Sequence, residues 1–308
     1  MGQAKLTLFR ASEALLAFED LITRLDDPDD REGRVLLARA LRGRIAALTD
    51  LGQIQAAIQG CEALISQFGD SDDPSLRLSV AVTMSHQASL HARVGDYDLA
   101  MTSYEQLLDR FSRDGQADIR ALVATVRYDR GITLGLMGRH SEAIEEFEGV
   151  VRDFGAVAEA EEVVAQALVN EGAQWLKLGR PERAITAYRT VVDAHTDSSK
   201  PSLRALVAKA LFNEGTALVE AGSLNEAISA YSRVIDGYRG DRLAADDVTS
   251  ALTNKAISLL RLGRRSEAIS ICGEIRERLV GSTDAHSLLI LETVERIEQV
   301  PILPPPTA

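Results

Sequence analysis

Three asparagines, Asn170, Asn213 and Asn254, stand 43 and 41 residues apart. A side-chain amide both donates and accepts hydrogen bonds, so a row of them offers what a polypeptide backbone needs from a partner. Covalent and metal chemistry have no comparable signal. The chain carries no phosphate-binding glycine loop, no GxSxG and no HExxH. Its histidines, His86, His91, His140, His195 and His286, fall at unrelated spacings, and Cys61 lies 211 residues from Cys272. Cysteines so far apart form neither a disulfide framework nor a zinc spacing. The expectation is a chain with no catalytic residue, no metal and no cofactor. The run Asp26-Asp27-Pro28-Asp29-Asp30 lacks the glycine and closing glutamate of a calcium loop, so it reads as the capped start of a helix.

The asparagines hold one fixed place in a repeat. Glycine recurs at Gly52, Gly95, Gly138, Gly179, Gly222 and Gly263, in steps of 41 or 43. Five residues after each stands an alanine, from Ala57 to Ala268, and nine after each stands Cys61, Tyr104, Phe147, Tyr188, Tyr231 or Cys272. The three asparagines come nine before the glycine, in a column that Gly43, His86 and Asp129 complete. A fixed period of this length means a repeat architecture. Apolar residues fall at helical spacing on both sides of each glycine, as Leu211, Gly215 and Leu218 do before Gly222, and Ala227, Ile228, Tyr231 and Val234 after it. Each unit is therefore predicted to be a helix A, a left-handed glycine turn and a helix B. Small residues seven before the turn (Ala88, Gly131, Gly172, Gly215 and Ala256) are predicted to let helix A approach a neighbour closely. Pro74 and Pro201 suit a first helical turn.

Six units fit, at about 35–69, 77–112, 119–154, 161–196, 203–239 and 245–280. Residues 1–31 read as helix B of a further unit, through Ala14, Leu15, Phe18, Leu21 and Ile22. Residues 284–299 read as a capping helix, and 301–308 as an extended proline-rich tail. The domain expectation is one all-α solenoid over residues 1–300. Cys61, Cys272 and His195 take positions that are aromatic in other units, and are expected in the core.

The phrases MGRHSEAIEEF, LGRPERAITAY, AGSLNEAISAY and LGRRSEAISIC carry G-x-x-x-x-A-I followed in most by an aromatic. This pattern resembles the tetratricopeptide repeat over about residues 35–280. The period of 41–43 exceeds the 34 residues of that repeat, and is similar to the long-repeat subgroup typified by kinesin light chains. The resemblance implies a right-handed superhelical solenoid of antiparallel helix hairpins, about 14 helices in all. It also implies a concave groove, lined by the A helices, that binds a protein or an extended peptide without catalysis. By the same resemblance Asn170, Asn213 and Asn254 face that groove, with Lys177, Lys209, Tyr128, Phe212, Arg261 and Val169 in neighbouring columns. Contact with a bound backbone and bonding within or between repeats both stay open for the amides. Lys209 with Asn213 resembles part of a carboxylate clamp, yet Ser250 and Asn254 stand where its further cations belong. The first unit adds Arg39 and Arg42 to the groove columns, which suits a peptide with acidic residues and an apolar anchor.

Forty-six acidic against 34 basic residues give a net charge of −12, which disfavours a nucleic-acid partner. No apolar run is long enough to span a membrane, and the charged N-terminal stretch is no signal peptide. A soluble, cytoplasmic protein is expected, and heavy use of Ala and Arg points to a bacterial origin. Two other readings remain. The half-unit at 1–31 could drive self-association or assembly, or the chain could be the sensor portion of a larger regulator.

Overall fold

A computed structural model describes the backbone of residues 2–25 and 28–299, with side chains from residue 9 onward. Asp26, Asp27 and the 301–308 tail lie outside the described residues. Among these residues there are fourteen α-helices and no strand. The chain divides into two compact units, Met1–Ala160 and Glu161–Ala308.

The first unit holds α1 (Gly2–Arg24), α2 (Arg31–Asp50), α3 (Ile54–Phe68), α4 (Pro74–Arg93), α5 (Tyr97–Phe111), α6 (Ala117–Leu136) and α7 (His140–Phe154). The A helices α2, α4 and α6 pack side by side, and each of the B helices α3 and α5 bridges two of them. The second unit holds α8 (Glu161–Lys177), α9 (Pro181–His195), α10 (Pro201–Glu220), α11 (Leu224–Tyr238), α12 (Ala245–Arg261), α13 (Arg265–Arg278) and α14 (Ala285–Gln299). Here α8, α10 and α12 form the A layer, α9 and α11 bridge it, and α14 closes on α12 and α13.

This arrangement explains the differing patterns of the two helix types. The B helix α11 buries one stripe, including Ala227, Ile228, Tyr231, Val234, Ile235 and Tyr238. The A helix α10 touches α8, α9, α11 and α12, and buries residues around most of its girth, including Leu203, Ala208, Leu211, Glu214 and Ala217. Only a narrow strip of an A helix therefore remains for any partner.

All six repeat glycines sit in the left-handed region, with φ between 67° and 86°, as helix-ending turns require. The small residue seven before the turn meets the aromatic ring nine after it. A Cβ on Gly131, Gly172 or Gly215 would lie 2.7, 2.5 or 2.5 Å from Phe147, Tyr188 or Tyr231. These rings are fully or almost fully buried, so in these three hairpins the ring takes the space a Cβ would need.

The A helices start two to four residues earlier than expected, at 31, 74, 117 and 201, because polar caps and prolines set their first turns. Asp30 accepts from the Gly33 amide at 2.7 Å, and Asp73 accepts from Ser75 and Leu76 at 2.8 and 3.2 Å. The A helices decide between steps of 43 and 41, since α8 and α12 run 17 residues where α4, α6 and α10 run 20. Residues 69–73, 112–116 and 196–200 link hairpins across the longer steps. Only 155–157 and 239–241 do so across the shorter ones, each leading into a single 3-10 turn (Ala158–Ala160 or Arg242–Ala244) before α8 or α12.

Helix α1 packs on α2 as a B helix would, with the Phe18 ring occupying the space a side chain at Gly43 would need. Cys61 and Cys272 are fully buried, and burial pushes the Cys61 thiol up to about 12. His195 is largely buried, with Nδ1 3.6 Å from Glu161.

Candidate functional site: the exposed strip of the A helices

Three members of the column meet the B-helix residue in register on the preceding hairpin. Phe18 fills the space beside Gly43, Asp129 lies in the field of the Tyr104 hydroxyl, and Asn254 stands beside the Tyr231 hydroxyl. Within each unit these members sit at the seam between successive hairpins, with part of each residue left to solvent.

In Glu161–Ala308 the three asparagines lie on adjacent helices and are all half-buried. Their surroundings differ. Asn170 donates from Nδ2 to the Gln166 carbonyl at 2.9 Å, inside its own helix. Asn254 stands beside the Tyr231 hydroxyl, which lies 3.4 Å from Thr216 Oγ1. Asn213, on the central helix, makes no side-chain hydrogen bond among the described residues. Beside it the half-buried Phe212 ring tilts against Tyr231 at 6.0 Å. Lys209, one turn earlier, is exposed; burial raises the Asp247 carboxyl of α12, and Lys209 offsets only part of that rise.

Lys177 and Arg261 are both exposed and stand two residues before their turns, where α10 has Glu220. Val169 is 3% exposed and faces the core, because the A helix is walled in on that side; it offers nothing to a ligand. Tyr128 belongs to Met1–Ala160, where its half-buried ring lies 5.9 Å from that of Phe147. The structure therefore groups Asn170, Asn213, Asn254, Lys209 and Phe212 on one A layer, with Lys177 and Arg261 at its helix ends.

The A layer of Met1–Ala160 is different in character. Between α2 and α4 lies an open cleft of about 470 Å³, lined by Arg39, Arg42, Gly43, Ala46, Val82 and His86. Burial and the neighbouring Arg39 both lower the pKa of the Arg42 guanidinium. Burial, Arg93 and Arg42 hold the His86 imidazole below its ordinary value, and Asp50 opposes them. On α6, burial pushes the Asp129 carboxyl up to about 6.

One recurring interaction has a sequence signal that periodicity in apolar residues does not pick up. Eighteen residues before the turn, Arg34, Arg77 and Arg204 lie over the rings of Phe68, Phe111 and Tyr238 at 6.0, 5.6 and 5.3 Å. The units with short connectors have Glu161 and Ala245 there.

A sequence profile for the tetratricopeptide repeat matches residues 86–153 and 176–242. No curated protein sequence matches the chain. Among solved structures, the apo form of RapI superposes with a TM-score of 0.70 at 11% identity, covering 96% of this chain and 80% of that one. A tetratricopeptide repeat protein from Parabacteroides merdae gives 0.57 at 12% identity, over 85% and 86% of the two chains. The nearly identical TPR-like repeats of a putative kinesin light chain from Podosopora anserina give 0.52 at 15% identity, over 64% and 93%. At these identities the likeness is one of fold.

Proposed function

Since this chain belongs to the tetratricopeptide repeat family, we propose that it is a non-catalytic scaffold that holds an extended segment of a partner protein against its A helices. Asn213 carries this reading. It is a partly accessible amide on the central A helix of Glu161–Ala308, with no side-chain bond of its own among the described residues. An amide left in this state has both a donor and an acceptor to offer a bound backbone. Asn170 and Asn254 extend the row on either side. Exposed Lys177, Lys209 and Arg261 supply charge at its rim, and Phe212 supplies an aromatic anchor of the kind that dominates binding energy. The proposal includes a cytoplasmic location, a bacterial source and a protein or peptide partner in preference to nucleic acid or membrane. The net charge of −12 supports that preference.

The test is a lysate pulldown read by mass spectrometry, comparing wild type with Asn213→Ala and with the Asn170/Asn213/Asn254→Ala variant. A partner held by wild type should be weakened by the single change and lost from the triple variant. Urea unfolding separates binding from folding. Asn213→Ala should unfold with wild type, whereas Asn254→Ala should lose stability through Tyr231. Retention of the same partners by the triple variant would move the interface off these helices and refute the proposal.

A further inference from the structure

We propose that the cleft between α1 and α2 docks a helix of a partner protein, and that this helix carries the residue pattern of the chain's own A helices. The site lies in Met1–Ala160 and does not rest on the asparagine row of the other unit.

Two columns of the repeat are sealed in all six hairpins and stand open on α1. Five residues after the glycine, Ala57, Ala100, Ala143, Ala184, Ala227 and Ala268 are fully buried. Nine after it, Cys61, Tyr104, Phe147, Tyr188, Tyr231 and Cys272 are at most 1% exposed. One step of 43 before Ala57 and Cys61 stand Ala14 and Phe18, and both are only half-buried. Leu21 and Leu25 are half-buried too, whereas their equivalents Leu64 and Phe68 on α3 are sealed. The difference is the number of A helices on each B helix. An internal B helix such as α5 packs against two, α4 and α6, while the A helix against α1 is α2. The place that a second one would take is a cleft of about 410 Å³, lined by Ala11, Ala14 and Phe18 from α1 and by Gly43, Ala46 and Ala47 from α2.

The internal hairpins define what fits there. Helix A covers the ring nine after the turn by placing a glycine against it, as Gly131, Gly172 and Gly215 do. Where the ring is replaced by the smaller Cys61, helix A has Ile45 instead, so the two positions trade volume. On α10, Ala208, Leu211 and Leu218 share the face of Gly215 and are buried with it. Phe18 is a full ring, so its occupant needs that same face, Ala-x-x-Leu-x-x-x-Gly-x-x-Leu, with the glycine over the ring. The charged groups of the cleft are Arg10 and Asp50, one of each sign, so recognition goes by shape and apolar burial. A second copy offers no such helix. Its α14 bears exposed Glu292, Glu295 and Arg296, two of them paired at 2.6 Å, and its other A helices are packed between their own neighbours.

The experiment is a fluorescence-anisotropy titration of the full chain with a labelled helical peptide of the length of α10. One face carries the pattern above, and the other positions are glutamate, lysine and glutamine. A second peptide has leucine in place of the glycine. Wild type should bind the glycine peptide saturably and the leucine peptide about tenfold more weakly or worse, because the ring leaves no room for the extra carbons. Ala14→Glu, which puts a charge in the cleft, should abolish binding of both. Phe18→Ala should reverse the preference and take the leucine peptide more tightly than wild type does, a gain that misfolding cannot produce. The Asn170/Asn213/Asn254→Ala variant should bind the glycine peptide as wild type does.

No binding, equal binding of the two peptides by wild type, or an unchanged preference in Phe18→Ala overturns the assignment. Sedimentation showing self-association that Ala14→Glu abolishes also overturns it, since the occupant would then be a second copy. Loss of the glycine peptide in the asparagine variant would move the contact to the other unit, so that the scaffold reading survives and this one falls.

Discussion

Substituting Gly215 by alanine tests the packing of the three hairpins that place a glycine against an aromatic ring. Two effects oppose each other. Alanine is the better helix former by about 1 kcal/mol, since glycine loses more backbone freedom on folding. Against this, the new Cβ would lie 2.5 Å from Tyr231 Cε1 and 2.8 Å from Cδ1 and Cζ. Carbon atoms rest at roughly 3.5–4.0 Å, so the ring must retreat by about 1 Å. It has little room to do so. Tyr231 is 1% exposed, leans on Phe212 and has its hydroxyl beside Thr216. Overpacking a tight core costs about 1–3 kcal/mol, and the immobility of this ring puts the cost at the upper end. A net loss of about 1–2 kcal/mol is expected. Gly273 is the control, an exposed mid-helix glycine of α13 around which a Cβ would meet nothing within 4 Å. Gly273→Ala should therefore stabilise by about 0.5–1 kcal/mol. Urea titrations followed by helical circular dichroism decide it, with slopes compared to guard against partial unfolding of a repeat array. In a Tyr231→Leu background the Gly215→Ala penalty should shrink, which a double-mutant cycle reads directly. Equal or greater stability of Gly215→Ala in the wild-type background would refute the claim that the ring takes the space a Cβ would need.

Asp129 makes stability depend on pH. Its folded value of about 6 lies above the ordinary 3.8, because burial penalises the charged form. Its contribution is complete below pH 3.8 and is lost as pH rises through 6. At about 1.4 kcal/mol per unit this is on the order of 2–3 kcal/mol. Asp129→Asn should remove that slope and be the more stable protein at pH 8; urea midpoints from pH 4 to 8 that run parallel would contradict this. At the start of α4, Asp73→Ala should cost about 1 kcal/mol through loss of its two amide contacts. Asp73→Asn should cost much less, because asparagine caps equally well and the exposed Arg31 pair adds little. The same unfolding assay ranks the two.

Much of the hairpin was legible in the residues because its determinants are local. A positive φ at a helix end selects glycine, and an aromatic ring nine residues later needs a small residue seven before the turn. Both rules act within one hairpin, so they recur wherever the hairpin does. The helix starts were less legible. Asp30 and Asp73 extend their helices N-terminally by capping, and a 3-10 turn absorbs the shorter step before α8 and α12. The Arg34, Arg77 and Arg204 ladder is visible as a column, but apolar periodicity does not reveal it because its members are charged.

The candidate site divides in the same way. Sequence alone determined that Asn170, Asn213 and Asn254 share one register, since register follows from counting along the chain. Only the tertiary structure decided that Asn170 bonds its own helix, that Asn254 stands beside the Tyr231 hydroxyl and that Asn213 makes no side-chain hydrogen bond among the described residues. It likewise decided that Val169 is walled in and that Arg39 and Arg42 lie in a cleft without an acid. The reason is physical. Hydrogen bonding, burial and charge pairing depend on which residues from the next hairpin come within a few ångströms, and that is settled by packing between helices rather than by spacing along one.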